Sequence, residues 1–201
     1  MVTIEDIEKY ELYLKFMDRQ LAKFFQEQSP YIFCKEGCCS CCQKGEYPVS
    51  AVEFSYMLIG SKMLSLELVA QIEQNIFKVK EEKDNYQGED IFRYACPFLL
   101  NNRCSIYNNR PIICRTHGLA YFSAKGKLLV PACVNEGLNY SNVYDFDLNS
   151  ISVEKFKELG VEQEPLAHNV GLSFMSNNDL TEKLELDFGE FKPMYKWFFP
   201  E

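Results

Sequence analysis

A chain of 201 residues with 47% apolar and 14% aromatic side chains can bury a core without covalent help and is too hydrophobic to be disordered. Its length fits one domain, or one domain with a helical appendage. A formal net charge of −8 and a pI near 5.0 exclude a general phosphate-backbone binder, which would present a basic face, so no nucleic-acid partner is expected.

The N-terminus mixes Glu5, Asp6, Glu8, Lys9 and Glu11 with apolar residues. A secretory signal has a basic start and an unbroken apolar centre, and this segment has neither. No apolar run approaches the roughly 20 residues that span a bilayer. The expectation is a cytoplasmic protein with no membrane association.

Residues 3–27 read as an amphipathic helix, with Ile4, Ile7, Tyr10, Leu14, Met17, Leu21 and Phe24 spaced by three and four. Thr3 caps it, with Asp6 in the capping-box position. The stripe either lies on the core or forms a homodimer seam. Ser29-Pro30 ends the helix and a cysteine loop follows to Tyr47. Ser50, with Glu53 three residues on, opens a second helix with Val52, Tyr56 and Ile59 on one face and Gly60 as its stop. Ser65 opens a third helix to about Asp84, striped by Leu68, Ile72, Ile76 and Val79.

From Ile91 to Val134 the texture is loop-rich. Asn101-Asn102 marks a tight turn, and Leu119–Ser123 and Lys127–Val130 flank Ala124-Lys125-Gly126 as a hairpin. Val153–Leu159 is a short helix ended by Gly160. The tail carries Leu166, Val170, Leu172, Phe174, Phe188, Phe191, Tyr195, Trp197, Phe198 and Phe199. It either wraps back on the core or covers a partner or substrate. The fold class is therefore mostly α with small β-hairpin elements and an irregular cysteine-rich region packed on helices. Three parts are expected: an N-terminal helix over 1–30, a cysteine-cluster domain over 31–135, and an aromatic-rich extension over 136–201.

Eight of the nine cysteines form one ordered array. Cys34, Cys38, Cys41 and Cys42 make C-x3-C-x2-C-C with Cys39 inside it, and Cys96, Cys104, Cys114 and Cys133 follow singly. So many thiols without a secretory signal point to bound metal rather than disulfides. Core thiols that bind nothing are scattered residues, whereas five of these fall between positions 34 and 42. Short loops with thiolates two or three residues apart can aim several sulfurs at one ion. Adjacent side chains usually diverge, so Cys41 and Cys42 are expected to serve different sites. Eight sulfurs fit two four-sulfur sites, or one cluster with spare thiols. Zinc and iron–sulfur clusters both accept four cysteines, and Cys96-Pro97 is the dipeptide that closes bacterial ferredoxin ligand runs.

Taken together, the stretches Cys34-Lys-Glu-Gly-Cys38-Cys-Ser-Cys41-Cys42, Cys96-Pro-Phe-Leu, Cys104-Ser-Ile-Tyr107 and Arg110-Pro-Ile-Ile-Cys114-Arg115 resemble the CxxCxxCC putative zinc- or iron-chelating domain family, the YkgJ-like cysteine-cluster proteins. The resemblance runs from about Cys34 to Cys133. It implies a metal-binding domain for zinc or iron and carries over Cys34, Cys38, Cys41, Cys42, Cys96, Cys104 and Cys114 as ligands. Cys133 fits as an eighth, and Cys39 falls at a variable position. A distant relative of such domains occurs in flagellin lysine N-methylases. This chain has no Rossmann-type glycine-rich loop, so that reading is one of analogy.

Arg103, Arg110 and Arg115 crowd the second cysteine group, where guanidinium groups would favour thiolates and offset charge. His117 is of a type that could replace one sulfur, although eight cysteines make it unnecessary. His168 has no neighbouring chemistry, and no motif ties a nucleophile to either histidine. The function expected is metal binding with a structural or redox role. The alternatives are a metal- or cluster-dependent enzyme that modifies a protein or small molecule, and an adaptor for a protein partner.

Overall fold

A computed structural model describes residues 2–35, 37–123, 125–160 and 167–199. Ala124 of the expected hairpin and Leu166 of the tail lie outside the described residues. In chain order the helices are α1 (Ile4–Glu27), α2 (Ser40–Gln43), α3 (Ala51–Lys62), α4 (Leu66–Asp84), α5 (Ile112–Thr116), α6 (Val153–Glu158), α7 (Leu172–Met175), α8 (Asp179–Lys183) and α9 (Met194–Phe198). The strands are β1 (Pro48–Ser50), β2 (Leu99–Leu100), β3 (Arg103–Cys104), β4 (Tyr121–Phe122), β5 (Leu128–Leu129), β6 (Tyr144–Asp145), β7 (Ser150–Ile151) and β8 (Phe191–Pro193). They pair as two-stranded antiparallel sheets, β1 with β8 and the rest as hairpins. The class is mostly α with small β elements, as expected. No described helix is long and apolar enough to cross a membrane.

The chain divides into two compact units. The first comprises Met1–Leu12, Gly37–Arg115 and Lys183–Glu201, and the second Tyr13–Glu36 and Thr116–Glu182. Helix α1 starts where the sequence predicts. Thr3 donates its backbone N–H and its hydroxyl to Asp6 Oδ2, both at 2.8 Å, and the Asp6 N–H returns a bond to Thr3 Oγ1. Tyr10, Leu14, Met17 and Leu21 of its stripe are buried within the chain, and Tyr13 joins them.

In the first unit, Ser50 and Glu53 form a reciprocal capping box at the start of α3. The helix passes Gly60 and ends at Lys62, so Gly60 is not its stop. A Cβ at Gly60 would lie 2.7 Å from Asn109 Cβ. The glycine instead lets the Tyr107–Asn109 turn sit against α3, where Asn109 Nδ2 donates to the Tyr56 carbonyl at 3.2 Å. The buried face of α3 is accordingly Val52, Glu53, Met57 and Gly60, with Ile59 exposed. Ser65 caps α4, which buries Ile72 and Val79. Asn101 and Asn102, at φ 50° and 59°, make the two-residue turn between β2 and β3 that left-handed asparagines favour.

The last segment of the first unit wraps onto the same core. Strand β8 pairs with β1, the Met194 N–H reaches the Tyr47 carbonyl at 2.8 Å, and Trp197 Nε1 donates to the Val49 carbonyl at 2.9 Å. Phe54 stacks on Trp197, and Tyr195 meets Tyr94 edge-on. The core so formed includes Tyr47, Val49, Met57, Tyr94, Cys96, Phe98, Ile106 and Met194, with Cys42 and Cys104 packed against it.

The second unit has its own core of Tyr31, Ala120, Val134, Tyr140, Val143 and Phe156. Two buried amides organise it. Gln28 Oε1 accepts from the Ala120 N–H at 2.8 Å and from the Tyr140 hydroxyl. Asn139 Oδ1 accepts the backbone N–H groups of Phe33 and Cys34 at 2.8 and 3.0 Å, while its Nδ2 donates to the Gly118 carbonyl at 3.0 Å. Each amide joins segments distant in sequence and leaves few buried polar atoms unpaired. Helix α6 starts at the Ser152 cap and runs to Glu158, close to the expected span, with Gly160 left-handed beyond it.

Candidate metal centre

Gly37, at φ +87°, turns the chain into the cysteine loop, and Cys39 forms the N-cap of the single turn α2. The Cys42 and Gln43 N–H groups both return to the Cys39 carbonyl, at 2.8 and 3.1 Å. Neighbouring residues on a helical turn point about 100° apart, whereas on a strand they point to opposite faces. Cys41 and Cys42 therefore converge: their sulfurs lie 3.8 Å apart. The expected divergence of adjacent thiols is not what this turn produces.

A short backbone ladder brings in the next thiol. Gly45 and Tyr94 exchange hydrogen bonds at 3.0 and 3.1 Å, and the Cys96 N–H donates to the Cys42 carbonyl at 2.8 Å. Tyr47 braces the junction, its hydroxyl reaching the carbonyls of Cys41 at 3.1 Å and Tyr94 at 3.3 Å. The Asn101-Asn102 turn then returns the chain so that Cys104 pairs with Leu99. Cys114 sits on α5, and the Ile112 N–H at the start of that helix donates to Glu53 Oε1 at 2.7 Å. One buried carboxylate thus caps both α3 and α5 and links Cys114 to the rest of the unit.

Cys41, Cys42, Cys96, Cys104 and Cys114 lie within electrostatic reach of one another. The hydrogen bond with Cys41, followed by burial, raises the Cys42 thiol. Burial leads the rise at Cys96, pushed up to about 12, and also at Cys104 and Cys114. The positive charge of Arg110 opposes that rise at Cys104 and Cys114. Tyr47 and Tyr94 are raised in the same way, by burial first. Neutral thiols are the stable form of such a group until a cation compensates several thiolates at once.

This donor set fits a thiophilic ion. Sulfurs about 2.3 Å from a tetrahedral centre are about 3.8 Å from each other, and the Cys41–Cys42 separation is 3.8 Å. Among the described residues no group of three or more His, Cys, Asp or Glu side chains is placed to hold a metal ion.

The other predicted residues fall elsewhere. Cys38 is exposed in the first unit. Cys39 is half-buried, with Gln43 Nε2 3.4 Å and Asn102 Oδ1 3.7 Å from its sulfur. Cys34 and Cys133 belong to the second unit, the first exposed and the second buried, and both act electrostatically on Tyr140. Arg115 is buried, and its guanidinium donates to the carbonyls of Arg110, at 2.9 Å, and Asn108. Arg103 is exposed. His117, in the second unit, is held neutral by burial, and its Nε2 has no hydrogen-bond partner among the described residues. His168 pairs with Glu27 at 2.8 Å and stacks on Phe24. Sequence reading missed Tyr47, Tyr94 and the second role of Glu53. Only the capping-box position of Glu53 gave any local signal.

Comparison with curated proteins and with solved structures finds no match. The family model for CxxCxxCC, described as a putative zinc- or iron-chelating domain, covers residues 33–134, from just ahead of the first array cysteine to just beyond the last. With half of the chain inside that match, the protein belongs to the CxxCxxCC family.

Proposed function

We propose that the protein binds zinc or iron through a thiolate centre built on Cys41, Cys42, Cys96, Cys104 and Cys114, with a structural or redox role. Its single strongest support is the 3.8 Å approach of Cys41 and Cys42, the edge length of a tetrahedral sulfur site, with Cys96, Cys104 and Cys114 from three further stretches of the first unit near enough to act on them electrostatically. Cys34, Cys38 and Cys133 are further candidate ligands by the family pattern. The bound ion supplies positive charge that thiolates in this aromatic setting otherwise lack. Tyr47 holds the Cys41 backbone, the Gly45–Tyr94 ladder sets Cys96, and Glu53 sets the start of the Cys114 helix.

Metal analysis by mass spectrometry on anaerobically purified protein tests this reading. At least one equivalent of zinc or iron per chain is expected, and a visible spectrum separates brown iron–sulfur protein from colourless zinc protein. Serine at Cys42, Cys96, Cys104 or Cys114 weakens metal retention, whereas Cys39→Ser leaves it unchanged. Substoichiometric zinc and iron in every preparation of the unaltered protein rejects the reading.

A further inference from the structure

Arg110 stands between two of the candidate ligands, six residues after Cys104 and four before Cys114. Its guanidinium carbon lies 3.7 Å over the Tyr107 ring, and Nη1 donates to the Tyr107 carbonyl at 3.2 Å. The Nε–H is different. It is shielded from solvent and has no hydrogen-bond partner among the described residues. A buried donor left unpaired costs about 1–3 kcal/mol, and more for a charged group. Such a group calls for an explanation, and an acceptor that arrives with a bound ion is one.

Arg115 provides the contrast. Its guanidinium is committed to the backbone carbonyls of Arg110 and Asn108, which fixes the turn that carries Arg110. The two arginines of the Arg-Pro-Ile-Ile-Cys-Arg stretch therefore differ: Arg115 holds backbone, and Arg110 keeps one shielded donor unspent. The Arg110 charge also lies near enough to Cys104 and Cys114 to favour their thiolate forms.

We propose that Arg110 is a positioning residue of the metal centre, its buried Nε–H held for a sulfur acceptor of the loaded site and its charge offsetting that of the thiolates. This role rests on the metal-binding reading above. Four thiolates around a divalent ion carry −2, and one fixed guanidinium brings the site to −1. Lysine keeps the charge but has no planar Nε donor, so it is an incomplete substitute.

The test compares the full chain with Arg110→Gln, Arg110→Lys and the exposed control Arg19→Gln. Each is loaded with Zn(II) in one arm and with Fe(II) plus sulfide in another, and metal retention is measured against a competing chelator. Thermal unfolding is recorded with and without metal. Arg110→Gln is expected to weaken retention about 10- to 100-fold, Arg110→Lys to recover part of it, and Arg19→Gln to leave it unchanged. Without metal, Arg110→Gln melts at or above the wild-type temperature, because an unpaired donor has been removed. Wild-type retention in Arg110→Gln, or an equal loss of stability with and without metal, overturns the proposal while the metal-binding reading stands. A wild-type chain that holds metal in neither arm defeats that reading, and the role of Arg110 with it.

Discussion

Chelating the metal from the protein lowers its thermal midpoint by about 8–16 °C. Cys96 lies in the first unit's core with Cys42 and Cys104 packed against it, so an ion held by these thiols would be tied to the same packing that holds β1, β8 and α4 together. A ligand that binds only the folded state stabilises it by about 4 kcal/mol when its free concentration is 1,000 times Kd. For a chain of this size each kcal/mol moves the midpoint by about 2–4 °C. The metal-free chain still folds, because Tyr47, Tyr94, Phe98 and the tail aromatics bury apolar surface without help from the ion. Differential scanning calorimetry before and after chelation reads the shift. An unchanged midpoint on complete removal would mean that the bound ion lies outside this core.

Glu53→Ala destabilises the metal-free protein by about 3–5 kcal/mol. Glu53 is 1% exposed, and its two oxygens accept the Ser50 and Ile112 N–H groups at 2.8 and 2.7 Å. Alanine would take the Glu53 acceptor away from two N–H groups at two helix starts and leave a cavity between them. Glu53→Gln is milder, since its amide oxygen still accepts from one of the two N–H groups, although its NH2 group, a donor, cannot serve the other. Because Ile112 opens the helix that carries Cys114, Glu53→Ala also weakens metal retention.

The pH dependence of Glu53 has a definite sign. Burial raises its carboxyl above the ordinary range, against the opposing hydrogen bonds from Ser50 and Ile112. The folded state then binds the proton more tightly than the unfolded state does. The contribution is complete below the unfolded pKa, about 4.5, and is lost as pH rises from there through the folded pKa. Guanidinium unfolding of metal-free wild type and Glu53→Gln across that range should show the advantage of wild type shrinking with pH. An advantage that grows with pH, or an alanine variant within 1 kcal/mol of wild type, contradicts this account of the carboxylate.

What the sequence made legible was local. Thr3 with Asp6, Ser50 with Glu53, Ser65 with the Leu68 N–H, and the Asn101-Asn102 turn all act within three residues, so their chemistry can be read along the chain. Gly60 was misread because its reason lies in Asn109, a packing partner on another element. The Glu53 bond to Ile112 spans 59 positions, and the β1–β8 pairing joins Pro48 to Pro193. Neither leaves a periodic trace.

At the site, spacing singles out an array of thiols, but not which of them share a compact unit. Cys41 and Cys42 converge because a single helical turn follows Cys39, and that turn is set by two backbone bonds to the Cys39 carbonyl rather than by any residue pattern. Cys34 and Cys133 fall in the second unit although Cys34 is only four positions from Cys38 in the first. Chain proximity does not decide which thiols share a compact unit.

X-ray absorption at the metal edge of the purified protein tests the central claim most directly. The account predicts four sulfur neighbours at about 2.3 Å around zinc or iron. A set of neighbours dominated by nitrogen or oxygen at about 2.0–2.2 Å would contradict it.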